Sequence, residues 1–114
     1  LSISVLLTPF LSTSQRKQFL KNVYKNLLIN GAFILVEKNF SPSGKIENIF
    51  AQIIDEYKNQ SLSYKNIYNK KKLLRGVMNS YYEKDTIEYL KTIGFLDTQV
   101  FFNHFSFTGY LCIK

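Results

Sequence analysis

The sequence predicts an α/β fold: parallel strands joined by a crossover helix, with a closing antiparallel strand pair and helices on the sheet faces. Three observations carry this. Gly31–Lys38 reads GAFILVEK, and its Ala32–Val36 core is an unbroken apolar run. A run that short and continuous predicts a strand buried on both faces. The segment before it has helical spacing and stops at Asn30-Gly31, residues that tolerate the left-handed backbone of helix ends. Two aromatic, β-branched runs, Thr98–Phe102 and Phe105–Ile113, are joined tightly, as in an antiparallel pair closing a sheet edge.

Each element follows in order. Leu1–Leu7 reads as a strand, ended by Thr8-Pro9 because proline cannot donate to a ladder. Ser12 with Gln15 three residues on is a capping-box spacing. Phe19, Leu20, Val23, Tyr24, Leu27 and Leu28 then form one helical face, with Arg16, Lys17, Lys21 and Lys25 expected on the solvated one. Strand, helix and strand at this distance give a right-handed crossover between parallel strands. Asn39–Gly44 is a Pro- and Gly-punctuated loop. Loops at the carboxyl ends of strands line the ligand crevice of open α/β sheets, which places Thr8–Phe10 and Lys38–Gly44 at its edge. Ile46, Ile49, Phe50, Ile53, Ile54 and Tyr57 mark a second amphipathic helix, broken at Gln60–Ser63. Helical spacing resumes over Tyr64–Met78, whose polar side carries Lys65, Lys70, Lys71, Lys72 and Arg75. Ser80–Glu83 is a joint, Asp85 and Thr86 are candidate caps for a helix through Ile93, and Gly94 stops it.

The totals bound the function. With 114 residues the chain suits one small domain, and at 46% hydrophobic and 16% aromatic it lies outside the disordered range. A single cysteine excludes an internal disulfide framework and fits a reducing, cytoplasmic compartment. No apolar run approaches the roughly 20 residues of a membrane span, so no membrane partner is expected. The net charge of +7 admits an anionic partner, but no Arg-rich stripe or nucleic-acid motif accompanies it. Direct nucleic-acid binding is therefore not expected.

The order of elements resembles the second half of class I S-adenosylmethionine-dependent methyltransferases, a Rossmann-like sheet. Phe10-Leu11, Ser14, Arg16, Tyr24, Gly31-Ala32, Glu37-Lys38, Val77-Met78, Gly94-Phe95 and Phe105-Ser106-Phe107 resemble, in their order and spacing, the carboxy-S-adenosylmethionine synthase family. That resemblance covers essentially the whole chain. It implies a transferase that joins S-adenosylmethionine with a carboxylate taken from prephenate, through a sulfonium-stabilised ylide, to make the carboxymethyl donor for tRNA wobble uridine.

The resemblance also implies what is missing. The first half of such domains carries a Gly-rich turn and an acidic ribose-binding residue. No G-x-G occurs among the five glycines here. The expectation is therefore a partial methyltransferase-like domain over residues 1–114, lacking its N-terminal cofactor-binding half. Its opening at Leu1, inside an apolar strand-like run, points the same way. Such a chain is expected not to hold S-adenosylmethionine or its carboxylated form alone, and to be inactive alone. It would work with a separate N-terminal half, or pair as a homodimer.

Two family contacts fall inside the matched region. An Asn that touches the cofactor aligns with Val5, beside Ser4, and Val has no amide donors or acceptors. An Arg that grips the extra carboxylate aligns with Lys71, which keeps the charge without the bidentate fork. Lys71 is the candidate catalytic residue; Ser4 and Val5 are the candidate cofactor positions.

Other residues support blander roles. Glu37-Lys38 reads as a strand-terminal ion pair or a ligand-orienting acid. His104, the only histidine, reads as a packing residue, and Cys112 as a small buried apolar one. Phe105, Phe107 and Tyr110 alternate as core. No metal-ligand spacing exists. Two non-enzymatic functions are the alternatives: an interaction module using the exposed edge of Leu1–Leu7 and, ranked last, RNA binding through the basic Lys65–Arg75 helix, which charge alone supports.

Overall fold

The computed structural model describes residues 1–114. Ser12 starts the first helix as its spacing predicts. Its Oγ accepts the Gln15 amide at 3.3 Å, and Gln15 Oε1 accepts the Ser12 amide at 3.0 Å. Helix α1 then runs Thr13–Asn26 and turns through Leu27–Gly31 into strand β2, Ala32–Phe40. Strand β1, Ser2–Val5, lies parallel to β2 with Ile3 opposite Ile34 and Val5 opposite Val36. This is the predicted strand–helix–strand unit. A single 3-10 turn at Thr8–Phe10 follows β1 and begins with proline near its start, where a missing N–H costs nothing.

Beyond β2 come α2 (Gly44–Asn59), α3 (Tyr64–Leu73), the two-residue strand β3 (Tyr81–Tyr82) and α4 (Glu83–Ile93). Strands β4 (Asp97–His104) and β5 (Phe107–Ile113) form the predicted antiparallel pair. The order is β1-β2-β5-β4, so β5 inserts between β2 and β4, antiparallel to both. Strand β3 pairs in parallel with the far end of β2, at Asn39 and Phe40. The architecture is α/β with a mixed sheet and four helices. No helix is long and apolar enough to cross a membrane.

Strand β2 is not buried on both faces, contrary to the sequence expectation. Its burial alternates, with Phe33, Leu35, Glu37 and Asn39 inside and Ala32, Ile34, Val36 and Lys38 only half-covered. The reason is that α1 and α4 pack together on one side. They enclose a core of Leu20, Phe33, Leu35, Leu90, Phe95, Tyr110 and Cys112. The other sheet face leaves Ile3 and Val5 exposed.

Helices α2 and α3 form but bury little. Helix α2 has no buried residue and α3 buries only Ile67, so the apolar stripe of Ile46, Ile49, Ile53 and Tyr57 faces solvent. The two helices are tied by a Lys71–Asp55 ion pair. Helix α3 stops at Leu73, short of the predicted Met78, and Gly76 takes a left-handed φ of +72° in the turn that follows. Helix α4 starts two residues before Asp85, with Tyr82 at the N-cap and no side-chain cap. Thr86, predicted as a cap, points into the core instead.

Gly94 does stop α4, at φ +121°. A Cβ there would meet the Tyr24 hydroxyl at 2.7 Å as well as adopt a backbone that L side chains avoid. Gly94→Ala should therefore destabilise the fold by about 1–3 kcal/mol. Urea unfolding measures this, and an unchanged midpoint would contradict the account.

Candidate functional site

One charged cluster is buried at the end of the core, toward the carboxyl end of β2. Arg16 was expected on the solvated face of α1, yet it sits four residues before Leu20 on the inward stripe. Its side chain is 4% exposed and that of Glu37 is 1% exposed. The guanidinium forks onto the carboxylate, Nε to Oε1 at 2.8 Å and Nη2 to Oε2 at 2.6 Å. Nη2 also donates to Thr86 Oγ1 at 3.1 Å, and that hydroxyl donates to Glu37 Oε2 at 3.3 Å. The Tyr81 ring lies 4.1 Å from the guanidinium carbon, adding a cation–π contact. Glu37 is therefore neither a strand-terminal ion pair with Lys38 nor a free ligand contact. Strand β2 runs three residues past it, which carries Glu37 under α1 and α4.

This cluster belongs to a polar layer at the carboxyl end of β2. Asn39 donates through its amide nitrogen to the Tyr110 hydroxyl, and its Oδ1 has no partner. Burial pushes the Tyr110 hydroxyl up to about 12; the Asn39 bond pulls it back, and the Glu37 and Glu83 charges push it further up. Burial likewise raises the Cys112 thiol to about 11, so it carries no reactive thiolate at neutral pH.

Beside this layer opens a cleft of about 910 Å³. Its walls come from the end of β2 (Asn39, Phe40), the loop into α2 (Ser41, Pro42), the first turns of α2 and α4, and the β4–β5 turn. The sequence placed Lys38–Gly44 at the crevice edge, and Asn39–Pro42 do line it. Thr8–Phe10 do not: Thr8 and Pro9 are buried. Phe40 pairs with Tyr82 at 5.8 Å, and Phe50 meets Phe105 edge-on at 5.3 Å. Tyr82 and Glu83 were not anticipated, because the pairing of β3 with β2 is a long-range event that a joint at Ser80–Glu83 does not announce.

The predicted site residues lie elsewhere. Ser4 is buried on the inner face of β1 with an unpartnered hydroxyl, and Val5 is exposed on the opposite face. Lys71 stands on α3 against Asp55. None of the three lines the cleft. His104 is exposed and meets Phe105 edge-on at 4.6 Å. Of the predicted aromatic core set only Tyr110 is buried; Phe105 sits in the β4–β5 turn at φ +52°, and Phe107 faces the open side of the sheet.

Mixed sheet, crossover helix and closing strand pair together fit part of a methyltransferase-like fold, the class to which the sequence pattern pointed. No protein-family model matches the chain. The chain is a homologue of carboxy-S-adenosyl-L-methionine synthases. It is 32% identical to that of Staphylococcus epidermidis over 112 residues, 97% of this chain and 49% of the relative. Those of Nautilia profundicola and Methylococcus capsulatus are 29% and 27% identical, over 92% and 100% of this chain and 45% and 48% of theirs. The chain thus spans about half the length of the curated relatives it matches, consistent with a C-terminal half.

Two measurements check the core assignment. Glu37→Gln, which leaves the buried Arg16 without a counter-charge, should cost about 3–5 kcal/mol, while Arg16→Met with Glu37→Leu should recover much of it. A cycle of urea midpoints that is strictly additive would refute the pairing. The raised Tyr110 hydroxyl stabilises the fold below its unfolded value of 10.0, and that stability is lost as pH rises toward about 12. Tyr110→Phe should flatten the alkaline fall in stability; an identical pH profile would contradict it.

Proposed function

We propose that this chain is the scaffold half of a carboxy-S-adenosyl-L-methionine synthase-like transferase and is inactive by itself. The observation that carries the proposal is the match of nearly the whole chain to about half of each relative. In this reading the missing partner is a Gly-rich half, in cis or as a separate chain, that cradles the nucleoside.

The side chains at the end of β1 support the inability to bind alone. Ser4 turns into the core, and Val5 presents only methyl groups outward. Neither offers hydrogen bonds to a nucleoside, and no G-x-G turn lets backbone amides approach one. The residues present do not fit S-adenosylmethionine, so no catalytic step is assigned to them through it. Lys71 is proposed to neutralise a substrate carboxylate in the assembled enzyme, by exchanging its Asp55 partner for that carboxylate. The reaction, with prephenate as carboxylate source in the donor pathway of tRNA modification, is carried over with the same proposal. A cytoplasmic location goes with it.

Calorimetry tests the proposal. S-adenosylmethionine should give no heat of binding with this chain, and a stoichiometric heat once a Gly-rich half is supplied. Stoichiometric binding by the chain alone would overturn it. In the assembled enzyme, Lys71→Ala should lower activity more than Lys71→Arg; equal loss would remove Lys71 from the reaction.

The free edge of β1 favours a second reading, an interaction module. Strand β1 pairs only with β2, and Ile3 and Val5 stand exposed beside its unpaired backbone. Size-exclusion chromatography with light scattering should then report a dimer or larger species. A monomer with a cooperative melt would dismiss it.

A further inference from the structure

The cleft beside the polar layer has a chemistry of its own that the proposed reaction does not use. Its walls are aromatic: the Phe40–Tyr82 pair on one side and the Phe50–Phe105 pair on another. Aromatic pairs of this kind receive a flat ring by offset or edge contacts. Its polarity is lopsided. Glu83 is half-buried on the wall, whereas Lys84, the only cation among the lining residues, is exposed. The acidic group therefore acts in the recess and the basic one in water, where it is better screened.

Asn39, 4% exposed, also lines the cleft. Its amide nitrogen is committed to Tyr110, and its amide oxygen accepts nothing. That oxygen is itself sealed from solvent, so the acceptor the cleft presents to a ligand is the Glu83 carboxylate. Glu83 itself receives only the Asn103 amide, at 3.3 Å, and its carboxylate has further capacity to accept. A half-buried carboxylate and aromatic walls select for donors and against anions.

We propose that this cleft is a binding site for a flat aromatic ring bearing an amidine or amine N–H donor. The ring lies against the Phe40–Tyr82 and Phe50–Phe105 walls, and the donor group meets Glu83. The site stands apart from the carboxylate-handling role proposed for Lys71, which lies on α3 outside the cleft. It holds whether or not the transferase reading does.

The test uses two probes of similar shape and opposite charge, benzamidine and benzoate, titrated into the full chain by amide NMR. Benzamidine should bind saturably, with shifts confined to Asn39–Pro42, Tyr82–Lys84 and Asn103–Ser106. Benzoate should bind about fivefold more weakly or not at all, the scale of one screened charge pair. Glu83→Gln should weaken benzamidine about two- to fivefold, and Lys84→Gln should tighten it slightly by removing the opposing charge. Equal binding of the two probes, shifts scattered over the open sheet face, or no response to Glu83→Gln would each overturn the assignment. Because the Lys84 variant moves affinity in the opposite direction, a general loss of folding cannot imitate the expected pattern.

Discussion

The structure depends on the fork between Arg16 and Glu37. It joins helix α1 to the central strand, and Thr86 draws α4 into the same cluster. Two charges removed from water are costly, and only a bidentate geometry with additional hydrogen bonds repays that cost. Here each carboxylate oxygen is bonded and Tyr81 caps the guanidinium face. Such a cluster adds little net stability over an apolar core, but its directional bonds tie both helices to the strand. Its effect is to fix how the two helices lie on the sheet.

That fixed arrangement makes the polar end of β2 usable. Glu37 and Asn39 alternate with half-covered neighbours, so the same pleat that buries the ion pair turns Asn39 toward Tyr110 and the cleft. Tyr81, held against Arg16 and bonded to Thr13 at 3.2 Å, brings Tyr82 and Glu83 to the cleft wall. The binding surface is thus built outward from the buried charges. The reactive-looking residues of the sequence take no part: the Cys112 thiol is held neutral by burial, and His104 stands exposed among aromatic rings.

The two faces of the sheet are covered unequally. One face is sealed by α1 and α4; the other keeps Ile3, Val5 and Leu111 at the surface. Exposed apolar strands beside a free edge are a liability that proteins ordinarily cover. Helices α2 and α3 do not cover them, since their own apolar stripe also faces solvent. The proposed partner half would meet the first of these surfaces along β1.

Local chemistry was legible in the sequence. The capping box at Ser12, the stop at Gly94 and the tight turn of the closing strand pair rest on neighbours a few residues apart, where backbone geometry dominates, and the parallel crossover into β2 follows from the order of strand, helix and strand. The tertiary structure decided which face each stripe would meet. Arg16 lay within reach of the inward period, but its charge argued for solvent until Glu37, 21 residues away, supplied a partner. Strand β2 had the composition of a doubly covered strand, yet coverage depends on helices that the sequence places nowhere in space. Tyr82, Glu83 and Asn103 carried no local signal of a cleft, because they meet only through the pairing of β3 with β2 and the β4–β5 turn. Short-range order is written in adjacent residues; burial and charge pairing are settled only when distant segments exclude water from one another.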